Sequence, residues 1–173
     1  DKFGESVASG GDVNGDGFDD ILISAHYNDE GGSDTGQTYL FLGKDSGWNM
    51  NTSLASANAS FIGENFEDIS GNALGAGGDV NGDGADDLVI SSYRSNSGDG
   101  GWRAIYGQND TTSYKTNFEG TYPYGGYYNI MEDNVAFEVK GPSSASYSAG
   151  STWLDDFDGD GILEVLTESD GTP

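Results

Sequence analysis

Gly10-Gly11-Asp12-Val13-Asn14-Gly15-Asp16-Gly17 recurs without change as Gly77-Gly78-Asp79-Val80-Asn81-Gly82-Asp83-Gly84, an offset of 67 residues. A repeat at that spacing outranks local signals, because it says that one structural unit is built more than once. Gly4, Val7 and Gly10 correspond to Gly71, Leu74 and Gly77, so the unit begins ahead of its acidic loop. A looser third copy starts at Asp156, 77 residues after Asp79. The approximate repeats are 1–66, 67–143 and a partial 144–173, within one repeat region of 173 residues.

Each acidic loop runs directly into a β-prone stretch: Ile21–Ser24, Leu88–Ser91 and Ile162–Leu166. Such runs of Ile, Val and Leu favour a pleated, half-buried surface and predict strands. Further strands are expected at Gln37–Gly43, Ala59–Ile62, Gly101–Gly107 and Val135–Val139. No stretch keeps a 3.6-residue apolar period, so the chain reads as all-β. About four strands per repeat is the size of one blade of a β-propeller, which repeats four-stranded sheets around an axis. A compact β-sandwich of short strands is the alternative.

The charge excludes several functions. Thirty acidic residues against six basic ones leave a formal charge of −24, which repels a nucleic-acid backbone and an anionic membrane surface. No apolar run approaches the roughly 20 residues that a membrane helix needs. With no cysteine and one histidine, thiolate sites and disulfides are excluded, whereas a hard cation needs only oxygen ligands. The 29 glycines against 3 prolines predict many tight turns between strands.

The loops supply such oxygens. The first offers Asp12, Asn14, Asp16, the Phe18 carbonyl and Asp20 at positions 1, 3, 5, 7 and 9, with Gly17 at position 6 permitting the sharp turn of a calcium loop. Asp79, Asn81, Asp83, the Ala85 carbonyl and Asp87 repeat the set, and Asp156, Asp158, Asp160, the Ile162 carbonyl and Glu164 form a third. Three calcium ions are therefore expected, one per loop. Carboxylates about 4 Å apart repel by roughly 4 kcal/mol per pair at an effective dielectric of 20, and a divalent cation reverses that sign. Position 12 is Ile23, Ile90 and Thr167 instead of a bidentate acid, which argues against EF-hands. Asp19, Asp86 and Asp155 are left outside the ligand sets.

Phe3-Gly4-Glu5-Ser6-Val7-Ala8-Ser9, continuing through the first acidic loop to Ile21-Leu22-Ile23, resembles an FG-GAP repeat of the kind found in the integrin α-subunit propeller and in microbial surface proteins. Gly36–Gly43 and Phe61-Ile62-Gly63-Glu64 resemble its later strands. The resemblance implies a seven-bladed, calcium-bearing extracellular propeller, with calcium held by the three sets just named. Where the family has Gly-Ala-Pro after the loop strand, this chain has Ser24-Ala25-His26, Ser91-Ser92-Tyr93 and Thr167-Glu168-Ser169. Two repeat spacings and the start of a third are too few for a ring of about 4–8 blades. The expectation is either a stretch of a longer propeller or a subunit completed by other copies, as in a filament.

His26 lies past the first loop strand without a nucleophile motif beside it, and is expected to pack rather than to act as a base. Glu64, Glu67 and Asp68 bring carboxylates together, as so acidic a chain does by chance. Tyr122, Tyr124, Tyr127 and Tyr128 offer a platform for a sugar or a protein, or else a loop folded over the sheet by its own side chains. Trp48, Trp102 and Trp153 are expected in the core or between blades. Asn51, Asn58 and Asn109 head N-x-S/T sequons, candidate glycosylation sites of an extracellular chain. The leading functional expectation is a calcium-binding structural or adhesion module outside the cell or at its surface, without catalysis, whose partner is a protein, a glycan or another copy. The alternative is part of a carbohydrate-active enzyme built on a propeller.

Overall fold

The computed structural model describes residues 1–63, 66–95, 99–107, 135–140, 152–155 and 164–167. Its first sheet comprises β1 (Val7–Gly11), β2 (Asp20–Ala25), β3 (Gln37–Phe41) and β4 (Ala59–Ile62). The second comprises β5 (Ser70–Gly78), β6 (Asp87–Ser95), β7 (Asp99–Ile105) and β8 (Val135–Lys140). Both are antiparallel and ordered as they occur in sequence, β1-β2-β3-β4 and β5-β6-β7-β8. A third, two-stranded sheet pairs β9 (Thr152–Asp155) with β10 (Glu164–Thr167), Glu164 opposite Asp155. Among the described residues the only helical turn is a 3-10 turn at Leu54–Ser56. The chain is all-β.

The repeat reappears in the register. Ser9 pairs with Ile21 and Gly11 with Asp20 across an irregularity in β1; Ala76 pairs with Leu88 and Gly78 with Asp87 across the same irregularity in β5. An extra residue at this point bends the strand and carries the chain out into the acidic loop. The loop then returns as the neighbouring strand, so each acidic loop closes one β-hairpin.

Side-chain alternation decides how the sheets stack. Leu22, Leu40, Ala59 and Phe61 on one face of the first sheet form a buried cluster with Leu88, Ile90 and Ile105 of the second. The second sheet buries its other face as well, through Val89, Trp102 and Ala104. A two-sheet sandwich covers only one face of each sheet, whereas a blade within a stack is covered on both. The residues of the first sheet equivalent to Leu88 and Ile90 are Ile21 and Ile23. Ile21 is 37% exposed and Val7 59% exposed, and with Phe3, Ile23, Phe41, Trp48 and Leu54 this side forms an apolar groove. The described sheets are blades of an incomplete propeller, and among the described residues one apolar face of the first sheet is left uncovered.

Sequence expectation and structure differ at β1, β5 and β9, which were not anticipated as strands. Val7-Ala8-Ser9-Gly10-Gly11 is poor in β-formers because the strand runs close to its neighbour: a Cβ on Gly10 would lie 3.1 Å from that of Asp20. Trp48 also departs from expectation. It is 46% exposed with the Lys44 ammonium 4.9 Å above its ring, while Trp102 is buried, as expected, with Val89 and Ala104.

Candidate functional site: the acidic loops

In the first loop every side chain named at positions 1, 3 and 5 folds back over the loop's own backbone. Asp12 Oδ1 accepts from the Asp16 N–H at 2.9 Å and Asp12 Oδ2 from the Gly17 N–H at 2.8 Å. Asn14 Oδ1 accepts from the Asp16 N–H at 3.1 Å, and Asn14 Nδ2 donates to Asp16 Oδ2 at 2.9 Å. Asp16 Oδ1 accepts from the Phe18 N–H at 3.0 Å. Such side-chain-to-backbone bonds are what makes Asp and Asn turn residues. Gly17, with φ +91, takes the left-handed conformation that the closing bend requires.

The second loop repeats these bonds and adds one, from the Gly82 N–H to Asp79 Oδ1 at 2.7 Å, where the Gly15 N–H of the first loop goes to the Asp12 carbonyl at 3.4 Å. The Asp83 and Gly84 N–H groups donate to Asp79 at 3.1 and 2.6 Å. The Asp83 N–H also donates to Asn81 Oδ1 at 2.9 Å, Asn81 Nδ2 donates to Asp83 Oδ2 at 3.0 Å, and the Ala85 N–H donates to Asp83 Oδ1 at 3.0 Å. The third loop, at Asp156, Asp158, Asp160 and Ile162, lies outside the described residues, and Glu164 opens β10.

Position 9 does something that spacing alone did not suggest. Asp20 accepts from the Val13 N–H at 2.9 Å and the Gly43 N–H at 2.6 Å; Asp87 accepts from the Val80 N–H at 2.8 Å and the Gly107 N–H at 2.7 Å. Each carboxylate thus ties its loop to the end of the third strand of its sheet. Burial pushes both up to about 6; their two backbone N–H bonds oppose this, and the charges of Asp12 and Asp16, or of Asp79 and Asp83, add to it.

The donor chemistry fits a hard cation. An ionised carboxylate has about four lone-pair sites, so two N–H bonds at Asp12 or Asp20 leave acceptor capacity on each. Burial, the main cause of the raised Asp20 and Asp87, disfavours their charged forms, and a neighbouring cation would favour them. Among the described residues no three His, Cys, Asp or Glu side chains group into a metal cluster by themselves. The set here is mixed, and a cation would draw on the Asn14 amide and Phe18 carbonyl as well as on carboxylates.

Asp86, left outside the ligand set on sequence grounds, reaches the neighbouring loop. Its Oδ2 accepts from the Asp12 N–H at 2.8 Å, and its N–H donates to the Asp12 carbonyl at 3.0 Å. Nothing in the local pattern signals a contact between residues 74 apart in sequence.

His26 is buried, with Nε2 3.7 Å from Glu5 Oε2 and its ring 4.6 Å from that of Tyr27. Burial lowers its pKa, and Glu5 works in the opposite direction. Asn51 is exposed, whereas Asn58 is half-buried and accepts from the Leu42 N–H at 3.0 Å. Asn109, Tyr122, Tyr124, Tyr127 and Tyr128 lie outside the described residues.

Blades of this kind, each closed by an Asp-rich hairpin loop, define a repeat class. Residues 3–41 match the family described as FG-GAP repeat, a match that takes in the first acidic loop and the three strands around it. The chain is also similar to integrin alpha pat-2 of Caenorhabditis briggsae, with 32% identity over 94 residues. That match takes in 54% of this chain and 7% of the relative, so the chain spans a small part of the relative's length.

Proposed function

We propose that this chain is an extracellular, calcium-binding structural or adhesion module. The observation that carries the reading is the duplication of one loop geometry: two unrelated turns would not reproduce the same set of carboxylate and amide bonds, including the tie from position 9. Asp12, Asn14, Asp16, the Phe18 carbonyl and Asp20 would hold one ion, and Asp79, Asn81, Asp83, the Ala85 carbonyl and Asp87 a second. The Asp156 set would hold a third. Bound calcium supplies the positive charge that offsets carboxylate repulsion and locks each hairpin. The similarity to an integrin α chain supports the extracellular address and an adhesive role.

The uncovered apolar face of the first sheet supports a role within a larger assembly. Repeat units bury their apolar faces against neighbours, and Val7, Ile21 and Ile23 stand where Leu74, Leu88 and Ile90 meet the first sheet. A further blade is the natural cover. When it comes from another copy, the result is a self-assembling surface or filament component. Protein and glycan ligands are the partners expected of an adhesion module, and no catalytic role is assigned to His26 or to any carboxylate.

Calorimetric calcium titration tests the reading. Three sites are expected in the full chain, and Asp79→Ala should lower the count by one. An unchanged count in that variant, or no calcium uptake by the parent chain, would overturn it.

A further inference from the structure

Asp86 occupies position 8 of the second loop yet bonds to position 1 of the first. Its carboxylate takes the Asp12 N–H and its own N–H goes to the Asp12 carbonyl, at 2.8 and 3.0 Å. These two bonds fix the peptide planes on both sides of Asp12, whose carboxylate organises the first loop through Asp16 and Gly17. A second contact joins the same loops. A Cβ on Gly107 would lie 2.8 Å from the Val13 carbonyl, so the first loop rests on the glycine whose N–H is held by Asp87 of the second loop at 2.7 Å. At Gly43, the equivalent glycine of the first sheet, the nearest atoms at the corresponding position belong to Asp19 and Phe18 of its own loop. At Gly107 an atom of the other loop, the Val13 carbonyl, stands among the nearest.

We propose that Asp86 is a positioning residue that couples the two cation sites: it holds the first loop in its ligand-ready shape, so that occupation of one loop strengthens the other. The proposal rests on the calcium reading above. Asp86 stands outside both proposed ligand sets. Its effect runs through pre-organisation, since a loop already ordered loses less freedom on binding, and coupling between sites is reciprocal by thermodynamic necessity. The mirror residue Asp19 gives an internal control. It bears the same charge at position 8 of the first loop but is exposed.

The test is a calcium titration of the full chain followed by backbone amide resonances, with Gly17 reporting on the first loop and Gly84 on the second. Asp86→Ala should weaken calcium at the first loop about tenfold, about 1.4 kcal/mol, and leave the number of sites unchanged. Asp19→Ala, which removes an equal charge beside the same loop, should weaken it less than about threefold, an effect that added salt erases. Equal losses in the two variants would reduce Asp86 to a bulk charge and overturn the proposal. Should Asp86→Ala fail to fold, Asp86→Asn decides the matter. It keeps an acceptor oxygen and should stay within about threefold of Asp19→Asn, as hydrogen bonds, unlike charges, survive the change. A tenfold loss from Asp86→Asn alone would overturn the proposal. Absence of calcium-dependent shifts at both glycines of the parent chain would overturn the calcium reading and the coupling with it.

Discussion

The first and second acidic loops share eight identical residues and nearly all of their internal hydrogen bonds, yet they live in different surroundings. Asn14 is 1% exposed, whereas Asn81, its counterpart, is on the surface. At position 7 the order reverses: Phe18 is 40% exposed and Ala85 fully buried. The first loop lies under the second sheet, so its Val13 and Asn14 are covered, and the side chain that meets it from the second loop must be small. The comparison teaches that the octapeptide encodes the loop's own geometry, while the residues around it encode which blade lies next door.

Exchanging the position-7 residues sharpens that difference most. Ala85→Phe forces a ring between the loops and should cost about 3 kcal/mol, the upper part of the range for overpacking. Phe18→Ala, at the open counterpart, should cost less than about 1 kcal/mol. Urea unfolding of the two variants measures both, and similar losses would mean that the two loops are not distinguished by their neighbours.

Acidity probes what the loops share. Burial holds Asp20 and Asp87 at about 6 in the folded chain, against the 3.8 of an ordinary aspartate. The folded state therefore binds more protons than the unfolded one between those values, and stability falls as pH rises through that window. In chelator, lowering the pH from 7 to 5 should stabilise the chain by about 2 kcal/mol for the pair. Asp20→Asn and Asp87→Asn should each remove a similar share. In saturating calcium the trend should reverse, because protons then compete with the metal for the same carboxylates. Urea midpoints at the two pH values check this, and a slope carried by one residue alone would break the symmetry between loops.

Much of this arrangement was legible in the sequence because repeats and alternation are local signals. The strands that follow each loop, the third strands at Gln37–Phe41 and Asp99–Ile105, and the closing bend at Gly17 follow from residue type and spacing. The first strand of each blade was not legible, since close approach to the next strand selects glycine and alanine over β-formers. The ties from Asp20 to Gly43 and from Asp87 to Gly107 escaped for another reason: a ligand-type residue in a ligand register gives no sign that it also holds a strand end. Asp86 was the hardest to read. Its partner lies in the other loop, at Asp12, and that contact depends on how two sheets stack. Trp48 misled because aromatic residues are more often buried, and here a lysine covers one ring face while the other side borders an uncovered groove.

The most direct test of the account is a set of thermal melts of this chain in chelator, in calcium and in magnesium. Ligands that bind the folded state alone raise its stability by mass action, by about 4 kcal/mol per site at a thousandfold excess over Kd. Calcium should therefore raise the midpoint by about 10 °C or more. Magnesium should raise it much less, because flexible loops of many oxygens do not meet its demand for a tight octahedron with retained water. Three superimposable curves would contradict the claim that these loops are calcium sites.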